Sequence, residues 1–293
     1  MYAKGKLLII GGAEDIGDKE PHLYENGELQ RYEILRELFH AAKNKRIEVI
    51  TSGSLFQEEV KERYHKAFCD IGYPAAGFMQ IEDRMEAREK QYMERVEKAD
   101  AVFFTGGDQF RLATILGGTN LIDRIRQRYI EDEHFVVAGT SAGAMVLSSI
   151  MITSGGKKET LIEEDLKTSS GLGFLQNCII DTHFITRGRF TRLAHAVIIN
   201  PDQLGVGLGE DTALIIEGGS EAECRGSGMV VIIDGKNIRQ TNITSVSETE
   251  PVYVENLKVH LLVKGCRFSI KTRKLYNPTL NPKSNPYEEE HRQ

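Results

Sequence analysis

A serine among small residues becomes a candidate nucleophile where the chain turns sharply from a strand into a helix. Gly139-Thr140-Ser141-Ala142-Gly143 carries the Gly-x-Ser-x-Gly pattern between the apolar run FVVA and the helical run AMVLSSI, the setting of a nucleophile elbow. Such a turn strains the serine backbone and lifts its hydroxyl clear of the sheet. A helix start also aims backbone N–H groups at an oxyanion forming beside Ser141. The Ala142 N–H is the first expected donor. Gly106 or Gly107, in FTGGDQ at a neighbouring strand end, supplies the second. A capping serine in a tight turn is the bland alternative, and the strand-turn-helix setting argues against it.

A serine hydroxyl needs a base within hydrogen-bond reach, usually an imidazole steadied by a carboxylate. The chain has eight histidines. His22 falls in a polar loop, His40 and His65 in charged helices, and His134 at the wrong end of the Ser141 strand. His195 belongs to a helix, His260 to a late strand and His291 to the tail. His183 follows the strand-like run Cys178-Ile179-Ile180-Asp181 at its carboxyl end, on the rim expected for Ser141, and is the expected base. Glu210, in GVGLGEDTA, again stands just past an apolar strand and is the expected orienting acid, with Asp211 its near competitor. Asp181 is close in sequence, but alternation along a strand makes its pairing with His183 harder. The order Ser, His, Glu differs from that of the α/β-hydrolases and argues against a lipase or esterase.

Arg187, Arg189 and Arg192 cluster before and within the start of a helix whose inward face is expected to carry Phe190, Leu193, Val197 and Ile198. Cations are disfavoured in the first turn of a helix, so the cluster calls for an anionic partner, such as a substrate carboxylate. Asp181 and the acidic run Glu163, Glu164 and Asp165 are the acidic candidates for a cationic partner, the run being also a common solvent-facing pattern.

The elements that position these residues alternate. Apolar runs at Leu7–Ile10, Ile47–Thr51, Ala101–Phe104 and Phe135–Ala138 each end in small residues and lead into helical patterns, as in a parallel sheet with crossover helices. The first helical pattern runs from Glu28 to about Lys45, with Tyr32, Ile34, Leu35, Leu38, Phe39 and Ala42 on one face. Another covers about Glu58 to Ile71. Ligands of open α/β sheets bind beyond the carboxyl ends of the strands, so GGAED, FTGGDQ and GTSAGA are expected to converge. From Thr153 to Gly173 the periodicity lapses into an extended loop or irregular insertion. Strand-like runs then resume at Cys178–Asp181, Gly205–Gly209, Thr212–Ile216, Met229–Asp234 and Leu257–Val263, expected to extend the same sheet with antiparallel strands. The fold class is therefore α/β, a largely parallel sheet flanked by helices with antiparallel strands added in the C-terminal half. Residues 1–275 read as one domain and residues 276–293 as a polar tail.

At 293 residues the chain is long enough to bury a core without staples. With 40% hydrophobic and 27% charged residues, neither disorder nor a membrane span is expected. Its 43 acidic and 37 basic side chains give a net charge of −6, which offers no cationic field to nucleic acid. The four cysteines form neither a CxxC pair nor a Cys/His cluster. They are expected to be buried thiols, with no metal and no cofactor. The first apolar run is too short for a secretory signal, and the cytoplasm is the expected compartment.

GGAED at residues 11–15, FTGGDQ at 104–109, GTSAGA at 139–144, DTHF at 181–184, RGRFTRL at 187–193 and GLGEDTA at 207–213 together resemble the cyanophycinase family, in that order and over nearly the whole chain to about residue 270. The resemblance implies a flavodoxin-like fold similar to dipeptidase E and class I glutamine amidotransferases. It implies a serine-type exopeptidase that hydrolyses cyanophycin, an aspartate backbone bearing arginine on its β-carboxyls, to β-Asp-Arg dipeptides. By motif position it assigns Ser141, His183 and Glu210 to catalysis, and Gln109, Asp181, Thr182, Arg187, Arg189 and Arg192 to the substrate pocket. Thr182 stands where some members carry glutamine. The resemblance further implies a homodimer that needs no metal. Two rivals remain: an α-aspartyl dipeptidase similar to dipeptidase E, and a non-catalytic binding protein of the same fold. A glutamine amidotransferase module would carry cysteine at the position of Ser141.

Overall fold

Five parallel strands form the centre of the fold: β1 (Lys6–Ile10), β2 (Ile47–Ile50), β3 (Gly77–Met79), β4 (Ala101–Phe104) and β5 (Val136–Thr140), in the spatial order β1-β5-β4-β2-β3. The structure is a computed structural model that describes residues 3–19, 30–42, 46–73, 75–155, 166–247 and 250–276. His22, His291, the run Glu163, Glu164 and Asp165, and the expected tail beyond Tyr276 lie outside the described residues.

Strand alternation explains the two-sided core. Leu8, Ile10, Val49, Phe103, Val136 and Ala138 pack on one face with α1 (Glu33–Ala41) and α2 (Gln57–Asp70). Leu7, Ile9, Ile50, Val102, Phe104 and Val137 face the other way, toward α3 (Lys90–Lys98), α4 (Gln109–Leu116) and α5 (Asn120–Glu131). Successive side chains on a strand point to opposite faces, so strands covered on both sides read as continuous apolar runs. Tyr32, Ile34, Leu35, Leu38, Phe39 and Ala42 are all buried, as their spacing predicts, although α1 is shorter than its sequence pattern.

After β5 come α6 (Ala142–Met145), β6 (Ile150–Ser154), β7 (Lys167–Ser170), β8 (Cys178–Asp181), α7 (Phe190–Ile199), β9 (Leu204–Leu208), β10 (Thr212–Glu217), β11 (Glu221–Gly226), β12 (Val230–Asp234), β13 (Gln240–Thr241), β14 (Val254–Glu255), β15 (Lys258–Leu262), β16 (Arg267–Ser269) and β17 (Lys274–Tyr276). Of the expected strands, β10 extends the main sheet antiparallel from β1, and β11, β16 and β17, which the sequence pattern does not predict, continue it. Strands β8, β9, β12 and β15 do not. They form a second sheet in the order β15-β12-β9-β8. The reason is edge availability: β1 already has β5 on one side and β10 on the other. β8 instead pairs in parallel with β9, around the crossover helix α7.

Four further expectations are corrected. The helix after Ser141 stops at Met145, because the carbonyls of Val146 and Leu147 accept from the N–H groups of Leu172, Phe174 and Leu175. The stretch from Thr153 to Gly173, read as an irregular insertion, includes the end of β6 and all of β7, which pair antiparallel. Phe190 is 47% exposed, whereas Leu193, Val197 and Ile198 are buried, because Phe190 opens α7, whose first three residues are exposed or half-buried. Among the thiols, Cys178 and Cys224 are buried, Cys69 is exposed and Cys266 is half-buried.

Candidate active site

Ser141 follows β5 with φ 52° and ψ −118°, a backbone conformation that costs a non-glycine residue roughly 1–3 kcal/mol and persists only when its surroundings hold it. Its N–H donates to the Ile10 carbonyl at 3.1 Å, and its own carbonyl accepts from Ala144 and Met145. The hydroxyl Oγ lies 2.9 Å from Nε2 of His183, and Nδ1 of His183 lies 2.6 Å from Oε1 of Glu210. A carboxylate only accepts, so this network assigns the ring proton to Nδ1 and leaves Nε2 to accept from the serine.

Three successive carbonyls gather the three segments. Ile10 accepts from Ser141 N–H, Gly11 from His183 N–H at 2.8 Å, and Gly12 from Asp211 N–H at 3.0 Å. The Ser141–His183–Glu210 line therefore forms where the second sheet meets the carboxyl end of β1. The Glu210 carboxyl is held below its ordinary value by the hydrogen bond from His183, against the burial that opposes its ionisation. Thr186 adds a hydroxyl donor to the same oxygen at 3.1 Å. Asp211, the competing acid, accepts instead from Ser227 Oγ at 2.7 Å and from Asp15 N–H, and burial pushes its carboxyl up.

The expected pocket residues are placed unequally. Asp181 is fully buried and accepts from Nε of Arg192 at 2.6 Å, from a second nitrogen of Arg192, and from Arg189 at 3.2 Å. The anionic partner demanded by the arginine cluster is thus, for two of its members, a residue of this chain. Burial lowers the Arg189 guanidinium from its ordinary value and Asp181 opposes that shift. Arg187 is exposed. Gln109 donates to the Ile152 carbonyl at 2.9 Å and so ties α4 to β6. Thr182 is buried, and its N–H donates to Asp181 at 2.9 Å. Of the glycine pair, Gly106 adjoins Ser141, with a Cβ built on it falling 3.4 Å from Ser141 Cβ. Gly107 packs on Gly53.

The sequence reading missed Thr186 and the glycine beneath the imidazole, Gly12. A threonine three residues after a histidine and a glycine in a strand-end turn each fit ordinary turns, so neither carried a signal. Among the described residues, no group of three or more His, Cys, Asp or Glu is placed to hold a metal ion, and no helix is long and apolar enough to cross a membrane.

A hydroxyl, an imidazole and a carboxylate in hydrogen-bonded sequence beside a helix start form the arrangement that serves serine-type nucleophilic catalysis. Residues 25–223 match the model of peptidase family S51, and the chain belongs to that family. It is 35% identical to a cyanophycinase of Geminocystis herdmanii over 93% of this chain and 96% of that protein. It is 35% identical to a cyanophycinase of Trichormus variabilis over 92% of this chain and 87% of that protein. A peptidase E of a Nostoc species is 28% identical over 73% of this chain and 84% of that protein. The fold is shared with the crystal structure of a peptidase from an acI-B1 Actinobacterium, with a TM-score of 0.62 and 22% identity over 92% of this chain and 98% of that one.

Proposed function

We propose that this chain is a serine exopeptidase that hydrolyses cyanophycin to β-Asp-Arg dipeptides through an acyl-enzyme on Ser141. The observation that carries the reading is the unbroken line from Ser141 Oγ through His183 to Glu210, at 2.9 and 2.6 Å, in a chain similar to cyanophycinases over nearly its full length. Ser141 Oγ attacks the backbone carbonyl carbon of a substituted aspartate as His183 Nε2 takes its proton, and Glu210 stabilises the resulting imidazolium. His183 then protonates the leaving amine, and a water activated by the same imidazole releases the dipeptide.

In this reading the Ala142 and Gly107 N–H groups hold the oxyanion. Support for Gly107 comes from its peptide unit. The Gly106 carbonyl oxygen lies 3.0 Å from where a Cβ of Gly53 would stand, and no described peptide bond is cis. A planar trans unit therefore turns the Gly107 N–H away from Gly53. Arg187, with the donors of Arg189 not engaged by Asp181, takes a substrate carboxylate. Gln109, Thr182, Asp181 and Arg192 shape the surrounding pocket. The reading takes the enzyme as a cytoplasmic homodimer acting without a metal, with the turn at Ser141 as its nucleophile elbow.

The test is turnover of cyanophycin against turnover of short α-aspartyl peptides, with chelator present. Dipeptide release from the polymer in chelator supports the proposal. Turnover of the α-aspartyl peptides alone would make the chain a dipeptidase, and turnover of neither would favour a binding protein.

A further inference from the structure

We propose that Glu14 is a positioning residue that holds the strained turn at Ser141 in its reactive geometry through the side chain of Thr140. Glu14 lies in the GGAED segment, whose carbonyls at Gly11 and Gly12, with that of Ile10 before them, already receive the three segments of the site. Its carboxylate is buried. Oε2 accepts from Thr140 Oγ1 at 2.6 Å and Oε1 accepts from Tyr64 OH at 2.6 Å. Both hydroxyls are donors toward the Glu14 carboxyl oxygens. Burial and the Glu14 carboxylate push the Tyr64 phenol well above its ordinary value, which keeps it the donor.

Thr140 immediately precedes Ser141, so its rotation carries the serine backbone with it. Ser141 N–H donates to Ile10, which fixes one point of the turn. The Thr140–Glu14 bond fixes a second point, on the same segment, and Tyr64 anchors the carboxylate to α2. These two points fix the peptide plane before Ser141, and the Ser141 carbonyl, which accepts from Ala144 and Met145, fixes the chain beyond it, so the turn cannot relax toward an unstrained φ. The role acts through Thr140 and involves no contact with substrate, so its loss lowers turnover rather than substrate binding.

The inference rests on the Ser141 reading, and the test separates the two. The rate at which a serine-directed phosphonate attaches to Ser141, together with kcat and KM on the polymer, is measured for Glu14→Gln, Thr140→Val, Thr140→Ser and the double variant Glu14→Gln/Thr140→Val. Folding is followed by thermal melting. We expect Glu14→Gln and Thr140→Val each to lower labelling and kcat by about tenfold or more, with KM within about threefold. Thr140→Ser, which keeps the hydroxyl, restores both. The double variant is no slower than the slower single variant, because the two changes remove one coupled interaction.

A folded Thr140→Val with unchanged kcat, an equal loss in Thr140→Ser, or losses that multiply in the double variant would overturn the inference. If Glu14→Gln fails to fold, the contrast between Thr140→Val and Thr140→Ser decides it alone. Absence of labelling in the wild-type chain would remove the Ser141 reading, and this inference with it.

Discussion

The imidazole of His183 occupies the space a side chain at residue 12 would need: a Cβ built on Gly12 falls 2.4 Å from Nε2 and 2.6 Å from Cε1. Gly12 also has φ +93°, a region in which a side chain is strained. Gly12→Ala is therefore expected to push the ring off the Ser141 hydroxyl. A displacement of about 1 Å at a reacting group costs on the order of a hundredfold in rate. Kinetics on cyanophycin should show a fall in kcat of that order, with a folded protein by circular dichroism. A folded Gly12→Ala variant with wild-type kcat would mean that the ring position is not set by this contact.

Ser141→Ala removes the only atom through which an acyl-enzyme can form in the proposed mechanism. The rate on cyanophycin should fall by about a thousandfold or more, leaving what binding and the oxyanion donors supply. Mass spectrometry after phosphonate treatment checks the same point, since the adduct should be present in the wild-type chain and absent from the variant.

Glu210 offers a pH test. Its folded-state pKa is lowered, chiefly by the hydrogen bond from His183. A lowered pKa means that the stabilisation is complete above the unfolded value near 4.5 and is lost as pH falls through the lower folded value. Glu210→Gln cannot lose it. The difference in melting temperature between wild type and variant should narrow as pH falls below about 4.5. At neutral pH the variant should lose roughly a hundredfold to ten-thousandfold in kcat, because the amide no longer fixes the tautomer of His183. A gap that widens as pH falls below about 4.5 would contradict the sign of the shift.

The sequence made the Ser141, His183 and Glu210 segments legible because each stands just past the carboxyl end of a buried apolar strand, a pattern set by local physics. It did not make the second sheet legible. Whether β8 joins β1 depends on which edges of β1 are already taken, and that is a property of the whole topology. β11 escaped notice because its inward positions are Ala222, Cys224 and Gly226, which leave no strong apolar period. β7, with the sequence KTSS, gives none at all. The arginine cluster is expected from sequence to meet a substrate carboxylate, whereas two of its members meet a carboxylate of this chain. The anion's identity for Arg189 and Arg192 was not readable, because Asp181 lies on a different element from both and its pairing depends on how α7 packs over the end of β8.

That pairing gives the last expectation. Asp181 is fully buried, and the side chains of Arg189 and Arg192 are 16% and 10% exposed, so removing the carboxylate leaves two guanidinium groups in a site closed to most solvent. Breaking one partner out of a buried ion pair costs about 3–5 kcal/mol, far more than a surface pair is worth, because the remaining charge keeps its desolvation cost without its compensation. For a domain of this size each kcal/mol corresponds to roughly 2–4 °C in melting temperature. Asp181→Ala should therefore melt roughly 5–20 °C below wild type, with the His183 segment loosened as well, since Thr182 N–H and the turn after β8 lose the same acceptor. Asp181→Asn, which keeps the shape and one acceptor, should lose less. Scanning calorimetry decides it: if Asp181→Ala melts within a degree of wild type, the cluster contributes nothing to stability, and Arg189 and Arg192 are held in place by other contacts.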